Sequence, residues 1–365
     1  MTLIMLMFHI GCALCGATAL AAAPQEQEAR MEARELIVLA APRRGDPYYA
    51  EVAGAIFDFH VAYARQVEGR DDVLILTDEA GYPAYAEALG TARVAVAPMG
   101  DIWMRDFGLS NAAAPVMFRY TAAGQGGGRK GQRAADAVQE GLAAIIEAAG
   151  LSYRPSDLLN DGGNLVDDYA GRAVVSRKFL RDNGLSTAEA RAALRREAGV
   201  EHLAVIEADE QGGLEHADGV VAFIAPNVLV INSYPEDPDY AAALRADLEA
   251  GLPGVTIHEI VTPYDGSAIY DARFGSACGL YTNMLVTPGR IYLPQFGIPE
   301  DAEALASLRR WSDKEVVPVH SEQVCAMGGG VRCMSWQVRG ENAARLLAWA
   351  RVLPAGGVRS PGTAP

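Results

Sequence analysis

Glu215-His216-Ala217-Asp218 is followed by Val220–Ile224, Pro226-Asn227 and Val228–Ile231. A compact polar cluster opens two short apolar runs joined by turn-forming residues, the pattern of a hairpin of buried strands. The same layout occurs four more times. Trp103-Met104-Arg105-Asp106 leads into Phe107–Ser110, a turn over Asn111–Pro115 and a strand Val116–Tyr120. Asp161-Gly162-Gly163-Asn164 leads into Leu165-Val166, a turn over Asp168–Gly171 and Ala173–Ser176. Tyr281-Thr282-Asn283 leads into Met284–Val286, Pro288-Gly289 and Arg290–Leu293, and Gly328–Cys333 leads into Met334–Val338 and Arg339-Gly340. With Asp106, Asn164, His216, Asn283 and Cys333 as markers, the successive spacings are 58, 52, 67 and 50 residues. Repetition at such a period is the mark of a propeller or another radial array. Helical patterns at Ala134–Ala149, Thr187–Ala198, Tyr240–Leu252 and Ala302–Trp311 fill the gaps, so each unit is strands plus helix rather than an all-β blade. An array of this kind brings five distant clusters to one axis.

Ahead of the first unit, apolar strands at Glu35–Ala41, Asp72–Thr77 and Ala92–Ala97 alternate with helical patterns at Pro47–Val67 and Pro83–Leu89. In the longer helix Val52, Ile56, Phe59 and Tyr63 share one face at helical spacing. Alternating strand and helix indicates an α/β architecture. No linker or break in composition interrupts the chain, so one domain is expected over residues 35–350. Two stretches stand outside the pattern. Ala122–Gly131 is Gly-rich and basic but lacks the GxxxxGK[ST] spacing of a phosphate-binding loop, and is expected to be a mobile surface loop near the site. The Pro/Gly/Ala-rich tail 351–365 is expected to be disordered.

The chain has 365 residues, half of them apolar, with 31 basic and 46 acidic side chains and a net charge of −15. That balance excludes the basic stripe a nucleic-acid partner would need. It suits a cationic substrate, and equally an acidic, soluble surface. Residues 1–23 are nearly continuous apolar sequence with small-x-small patterns before Pro24, which reads as a cleaved secretory signal without its positive n-region. The expected location is therefore secreted or periplasmic. The run is also about long enough for an uncleaved membrane anchor, the one membrane contact foreseen, and a misassigned start would make the protein cytoplasmic. Of the five cysteines, Cys12 and Cys15 fall in this segment, leaving Cys278, Cys325 and Cys333. An odd number in an exported chain leaves one thiol unpaired.

The clusters carry a coherent chemistry if Cys333, His216, Asp106 and Asp218 share one pocket. A guanidinium is a planar fork that matches carboxylates, so two aspartates can grip it from its sides. A thiolate at Cys333, favoured by the neighbouring Arg332, would then attack the central carbon. His216 would protonate departing ammonia and afterwards activate water. Each residue has a plainer reading. Cys333 can be an apolar filler after a tight turn, His216 and Asp218 an ordinary hydrogen-bonded pair, Trp103 a core residue and Arg105 a buried ion-pair partner. His60, His202, His258 and His320 lack comparable company and read as structural.

Trp103-Met-Arg-Asp106-Phe-Gly, Asp161-Gly-Gly-Asn164, His216-Ala-Asp218, Tyr281-Thr-Asn283 with Leu293-Pro-Gln-Phe-Gly297, and Gly328-Gly-Gly-Val-Arg-Cys333 occur in order over residues 35–350. This series resembles the agmatine deiminase and bacterial-type peptidyl-arginine deiminase family, within the guanidine-modifying penteins. The resemblance implies a five-bladed α/β propeller with pseudo-fivefold symmetry around a central site, and neither metal nor organic cofactor. It implies Cys333 as nucleophile, His216 as general acid and base, Asp106 and Asp218 as guanidinium ligands, and Trp103, Asn164 and Asn283 as substrate-binding residues. The implied partner is a small cationic guanidine or an arginine-containing peptide, and the implied activity is hydrolysis of a linear amidine with release of ammonia. Three places depart from the family pattern. Arg332 stands where a histidine usually precedes the nucleophile, and Glu215 where a glycine precedes the motif histidine. The loop Tyr120–Gly128 has neither the tryptophan of agmatine deiminases nor the two arginines of the peptidyl-arginine enzymes, at whose places stand Ala122 and Gly124. Amidino transfer to an amine, a catalytically silent binding pentein and a cysteine protease using Cys333 and His216 are the rival readings. Oligomeric state is open.

Overall fold

The computed structural model describes residues 34–111, 113–209 and 213–353. The N-terminal apolar segment 1–23 and the tail from 354 lie outside the described residues. Five small sheets make up the strand content. In the first, β1 (Leu36–Ala40), β2 (Asp72–Thr77) and β3 (Val94–Val96) run parallel, and β15 (Trp336–Val338) pairs antiparallel with β1. The second pairs β4 (Val116–Arg119) with β5 (Arg154–Leu159), and Ser110 bridges to Val116 on the far side of the turn. The remaining three repeat one plan: an antiparallel hairpin, then helix, then a third strand parallel to the second strand of the hairpin. They are β6 (Val166–Asp167), β7 (Arg172–Ser176) and β8 (His202–Ile206); β9 (Val221–Ala225), β10 (Val228–Asn232) and β11 (Thr256–Ile260); and β12 (Leu285–Val286), β13 (Arg290–Gln295) and β14 (Glu315–His320).

Three of the five repeated hairpins foreseen from the sequence are present, each with a parallel partner strand the pattern did not expose. In the first unit only the Ser110–Val116 bridge forms, and in the last β15 pairs with β1 and the expected turn at Arg339-Gly340 starts the helix Gly340–Val352 instead. β5, with sequence Arg154-Pro-Ser-Asp-Leu-Leu159, is largely exposed at the edge of a two-stranded sheet and shows no apolar alternation. Helices Gly128–Ala148, Thr187–Ala198, Pro238–Gly251 and Glu300–Trp311 occupy the expected gaps. The first begins six residues earlier than its apolar periodicity suggests. The segment read as a mobile loop is instead a single 3-10 turn, Ala123–Gln125, leading directly into that helix through left-handed Gly126 and Gly127. The first helix is shorter than expected, Ala53–Val67, because residues 48–52 form turns.

Apolar side chains from the sheets pack in layers against the helices. One cluster joins Ile37, Leu39 and Ile75 to Ile56, Phe59 and Tyr63 of the helix Ala53–Val67, and a second joins Leu36, Val38 and Trp336 to Leu142 and Ile146 of the helix Gly128–Ala148. Trp336 closes the first sheet: it lies on β15, opposite Val38, and a Cβ on Gly108 would stand 2.9 Å from its ring. Its indole Nε1 is buried without a hydrogen-bond partner among the described residues, so the ring acts through its bulk. Trp336→Ala is expected to lose about 3–5 kcal/mol of stability, and Trp336→Phe clearly less. Thermal or denaturant unfolding of the two variants checks this.

Candidate active site

Each polar cluster sits on one helical turn just before a strand. Asp106 lies in the turn Met104–Phe107, Asp161 and Asn164 at the turn Gly162–Asn164, and His216 and Asp218 at Ala217–Gly219. Asn283 lies in Tyr281–Asn283, and Cys333 in the turn that follows Gly330. Successive turns pack on one another. Arg105 N–H donates to the Cys333 carbonyl (3.1 Å) and Arg332 N–H to the Asn283 carbonyl (3.1 Å), so the last motif is stitched to the first and fourth. Two close approaches demand glycine. A Cβ on Gly163 would stand 2.5 Å from His216 Nδ1 and 2.9 Å from Asp106 Oδ1, and one on Gly329 would stand 2.9 Å from Cys333 Cβ and closer still to the Trp103 ring.

Trp103, Asp106, His216, Asp218, Asn283 and Cys333 line a single cavity of about 270 Å³. Cys333 is the one free thiol among the described residues, because Cys278 and Cys325 form a disulfide. Its sulfur accepts an N–H from Asn283 Nδ2 at 3.0 Å and lies 3.7 Å from Asp218 Oδ2. Asn283 Oδ1 is buried and has no hydrogen-bond partner among the described residues. Burial, then the carboxylates of Asp218 and Asp106, push the Cys333 thiol well up, while Asn283 and Arg332 pull it back. His216 directs Nε2 to Asp161 Oδ2 (3.0 Å) and places Nδ1 3.7 Å from Asp106 Oδ1. Burial alone would lower its pKa, but Asp106 and Asp161 overcome that and raise it to about 9, so the ring is an imidazolium at neutral pH. Asp161 also accepts from Thr121 N–H and Oγ1 (2.9 and 2.8 Å) and is held below its ordinary value despite its burial. Among the described residues Asp106 accepts one hydrogen bond, from the Gly163 N–H (3.1 Å); burial, opposed by His216, raises it to about 7.

One residue expected at the site is elsewhere. Asn164 does not line the cavity: its Oδ1 accepts from Ser176 N–H (2.8 Å) and its Nδ2 donates to Asn160 (3.3 Å), so its amide fixes the turn to β7. Arg105 takes no carboxylate; it donates to Gln337 Oε1 (2.8 Å) and to the Arg332 carbonyl. Residue reading missed Asp161 as the partner of His216, although it opens the Asp-Gly-Gly-Asn cluster. It also missed the outer wall, where Asp101 accepts from Tyr49 Oη (2.5 Å), Ile102 N–H (2.7 Å) and Gln125 Nε2 (2.6 Å) and so ties the Gly-rich turn to the cavity. No local signal marks that contact. Glu215, where the family pattern has glycine, keeps the left-handed backbone that glycine would favour (φ 52°), and its carboxylate is held by Arg181.

A family model of the Porphyromonas-type peptidyl-arginine deiminases matches residues 26–338. Among curated relatives, the agmatine deiminase of Stutzerimonas stutzeri is 27% identical over 344 residues, covering 81% of this chain and 90% of that protein. The agmatine deiminase of Pseudomonas fluorescens is 26% identical over 317 residues, covering 76% and 86%. Among solved structures, the agmatine deiminase of Enterococcus faecalis superposes with a TM-score of 0.68 at 19% identity over 85% of this chain and 94% of that one. That of C. jejuni, in a form with substrate bound, also gives 0.68, at 16% identity over 85% and 95%. The mixed α/β fold is thus that of these deiminases, and the chain belongs to the Porphyromonas-type peptidyl-arginine deiminase family.

Proposed function

We propose that the chain is a hydrolase that deiminates a small guanidinium cation through a covalent intermediate on Cys333, and that its five sheets are the blades of a five-bladed pentein propeller. The repeated hairpin–helix–strand plan and the packing of the five motif turns support the second part. One observation carries the first: the one free thiol among the described residues shares a cavity with an imidazolium and with a carboxylate, Asp106, that lacks a full counter-charge.

A guanidinium entering this cavity meets Asp106 on one side and Asp218 on the other, with the face of Trp103 and the spare acceptor Asn283 Oδ1 around it. Its charge does two things. It lowers the pKa of Asp106, completing the ion pair, and it favours ionisation of the Cys333 thiol, whose sulfur already accepts from Asn283. The thiol releases its proton to solvent as the cation binds, and the thiolate attacks the central carbon, forming a C–S bond as the C=N electrons move onto nitrogen. With Nε2 engaged by Asp161, His216 delivers a proton from Nδ1 to the departing nitrogen; the C–N bond breaks and ammonia leaves. The neutral imidazole then takes a proton from water, whose oxygen adds to the thiouronium carbon; the C–S bond breaks as the new hydroxyl's proton passes to the departing sulfur, giving a ureido product and the Cys333 thiol.

Asp46, Asp101, Asp209 and Glu215 give the outer lining an acidic cast that suits a substrate carrying a second positive charge, as the agmatine deiminases among the relatives suggest. Arg273 on the same lining supports a second reading, an arginine peptide whose carboxylate it would meet, although Asp271 already holds that guanidinium. Turnover of agmatine against arginine peptides separates the two. Amidino transfer would show as product formed only when an amine is supplied, and a silent binding protein as affinity without ammonia. We also read the protein as exported: the Cys278–Cys325 disulfide is a bond that oxidising compartments maintain.

Cys333→Ala is expected to abolish ammonia release, while Cys278→Ala and Cys325→Ala retain it; equal behaviour of all three removes Cys333 as nucleophile. The free enzyme works with Asp106 ionised and His216 charged. Its kcat/KM should therefore fall as pH drops below about 7, where Asp106 takes up a proton, and fall again as pH rises above about 9, where His216 loses one. A flat profile across that window would contradict both roles. Gly163→Ala should fold yet lose about 10²-fold in kcat/KM, because its methyl displaces His216 from Asp106.

A further inference from the structure

Arg332 does not line the cavity; it approaches from behind the wall, and only 7% of it is exposed. Its guanidinium spreads across two motif turns: Nη1 donates to Asp218 Oδ2 at 2.5 Å and Nη2 to the Leu165 carbonyl at 2.9 Å. Its own N–H holds the Asn283 carbonyl, and the next residue is Cys333. The oxygen that Arg332 grips is the one that faces the Cys333 sulfur at 3.7 Å. A single residue thus connects three clusters to the thiol: its side chain reaches the second and third, and its backbone N–H the fourth. A point-like ammonium could reach one of these acceptors, but not both in the plane of a fork.

We propose that Arg332 is a positioning residue for this reaction: its fork fixes Asp218 in the orientation that receives the substrate guanidinium and offsets that carboxylate's charge on the Cys333 sulfur. This rests on the deiminase reading for the substrate half and on geometry alone for the thiol half. The charged groups around the sulfur are Asp106 and Asp218 on the cavity side, with His216 across it, and Arg332 behind. Behind Arg332 lie Arg105, Asp167 and Tyr169. Arg332 is a cation acting on the thiol that a substrate does not have to bring. It lowers the thiol's pKa against the pull of the two acids. With Asp218 already half-engaged, Asp106 becomes the carboxylate whose charge the bound cation chiefly satisfies.

The test follows alkylation of Cys333 by neutral iodoacetamide as a function of pH, read by mass spectrometry of its peptide, together with kcat/KM on the same full-length proteins. Arg332→Gln removes the charge and should move the alkylation profile to higher pH by about one unit. Arg332→Lys keeps the charge but not the fork: its alkylation profile should stay close to the parent's while kcat/KM falls about tenfold or more. Superimposed alkylation profiles for Arg332→Gln and the parent protein would overturn the charge half, and an unchanged kcat/KM in Arg332→Lys the positioning half. If Arg332→Gln does not fold, as judged by circular dichroism, the Lys variant decides alone. Alkylation needs no turnover, so a parent protein that deiminates nothing would sink the functional reading while the thiol shift could still be seen. A turning-over parent with no thiol shift would sink only the role of Arg332.

Discussion

Asp106 and Asp218 are buried in the lining of one small cavity, Asp161 is buried beside them against His216, and the balance of charge among these three governs the site. Ionised groups taken out of water need partners of opposite charge and full hydrogen bonding, or they take up protons. The fold provides for two of them. Asp161 has His216 and both donors of Thr121, and Asp218 has the fork of Arg332. Asp106 has one backbone N–H and shares the more distant nitrogen of His216, and its pKa is raised accordingly. The arrangement therefore favours entry of one more cation beside Asp106.

The same shortage ties recognition to reactivity. The Cys333 thiol is held protonated by burial and by two acids, which makes it a poor nucleophile on its own. In the proposed reaction a cation that neutralises Asp106 removes part of what suppresses the thiolate, so binding of a guanidinium would strengthen Cys333 as a nucleophile. His216 stands ready in its charged form because the acids that restrain the thiol also raise the imidazole. One electrostatic field thus sets both groups, in opposite directions.

Rigid backbone holds the geometry. The reactive groups ride on single helical turns braced by strands, and the Cys278–Cys325 disulfide ties the wall segment that carries Ala277 and Leu280 to the one that carries Met327 and Cys333. Ala277 N–H adds a bond to the Cys325 carbonyl (2.9 Å). On the opposite wall Tyr49, Asp101 and Gln125 lock the Gly-rich turn in place, which is why a stretch that looks like free loop is ordered.

The repeated plan and the chemical cast are legible along the chain: five polar clusters at similar intervals, with one cysteine and one histidine among acids, although only three of the five open a paired hairpin. Those features are local, because turn residues and apolar alternation act over a few positions. The sequence also marked Arg332 and Glu215 as unusual. Only the tertiary structure decided which acid serves which partner. Asp161 rather than Asp218 takes the imidazole, Arg332 takes Asp218, and Asn164 spends its amide on Ser176 and Asn160 instead of the cavity. The third strand of each unit was equally hidden, since β5 and β11 are partly exposed and their pairing comes from distant backbone. Hydrogen bonds and charge pairs between segments tens of residues apart leave no periodic trace along the chain, so their assignment waits for the fold.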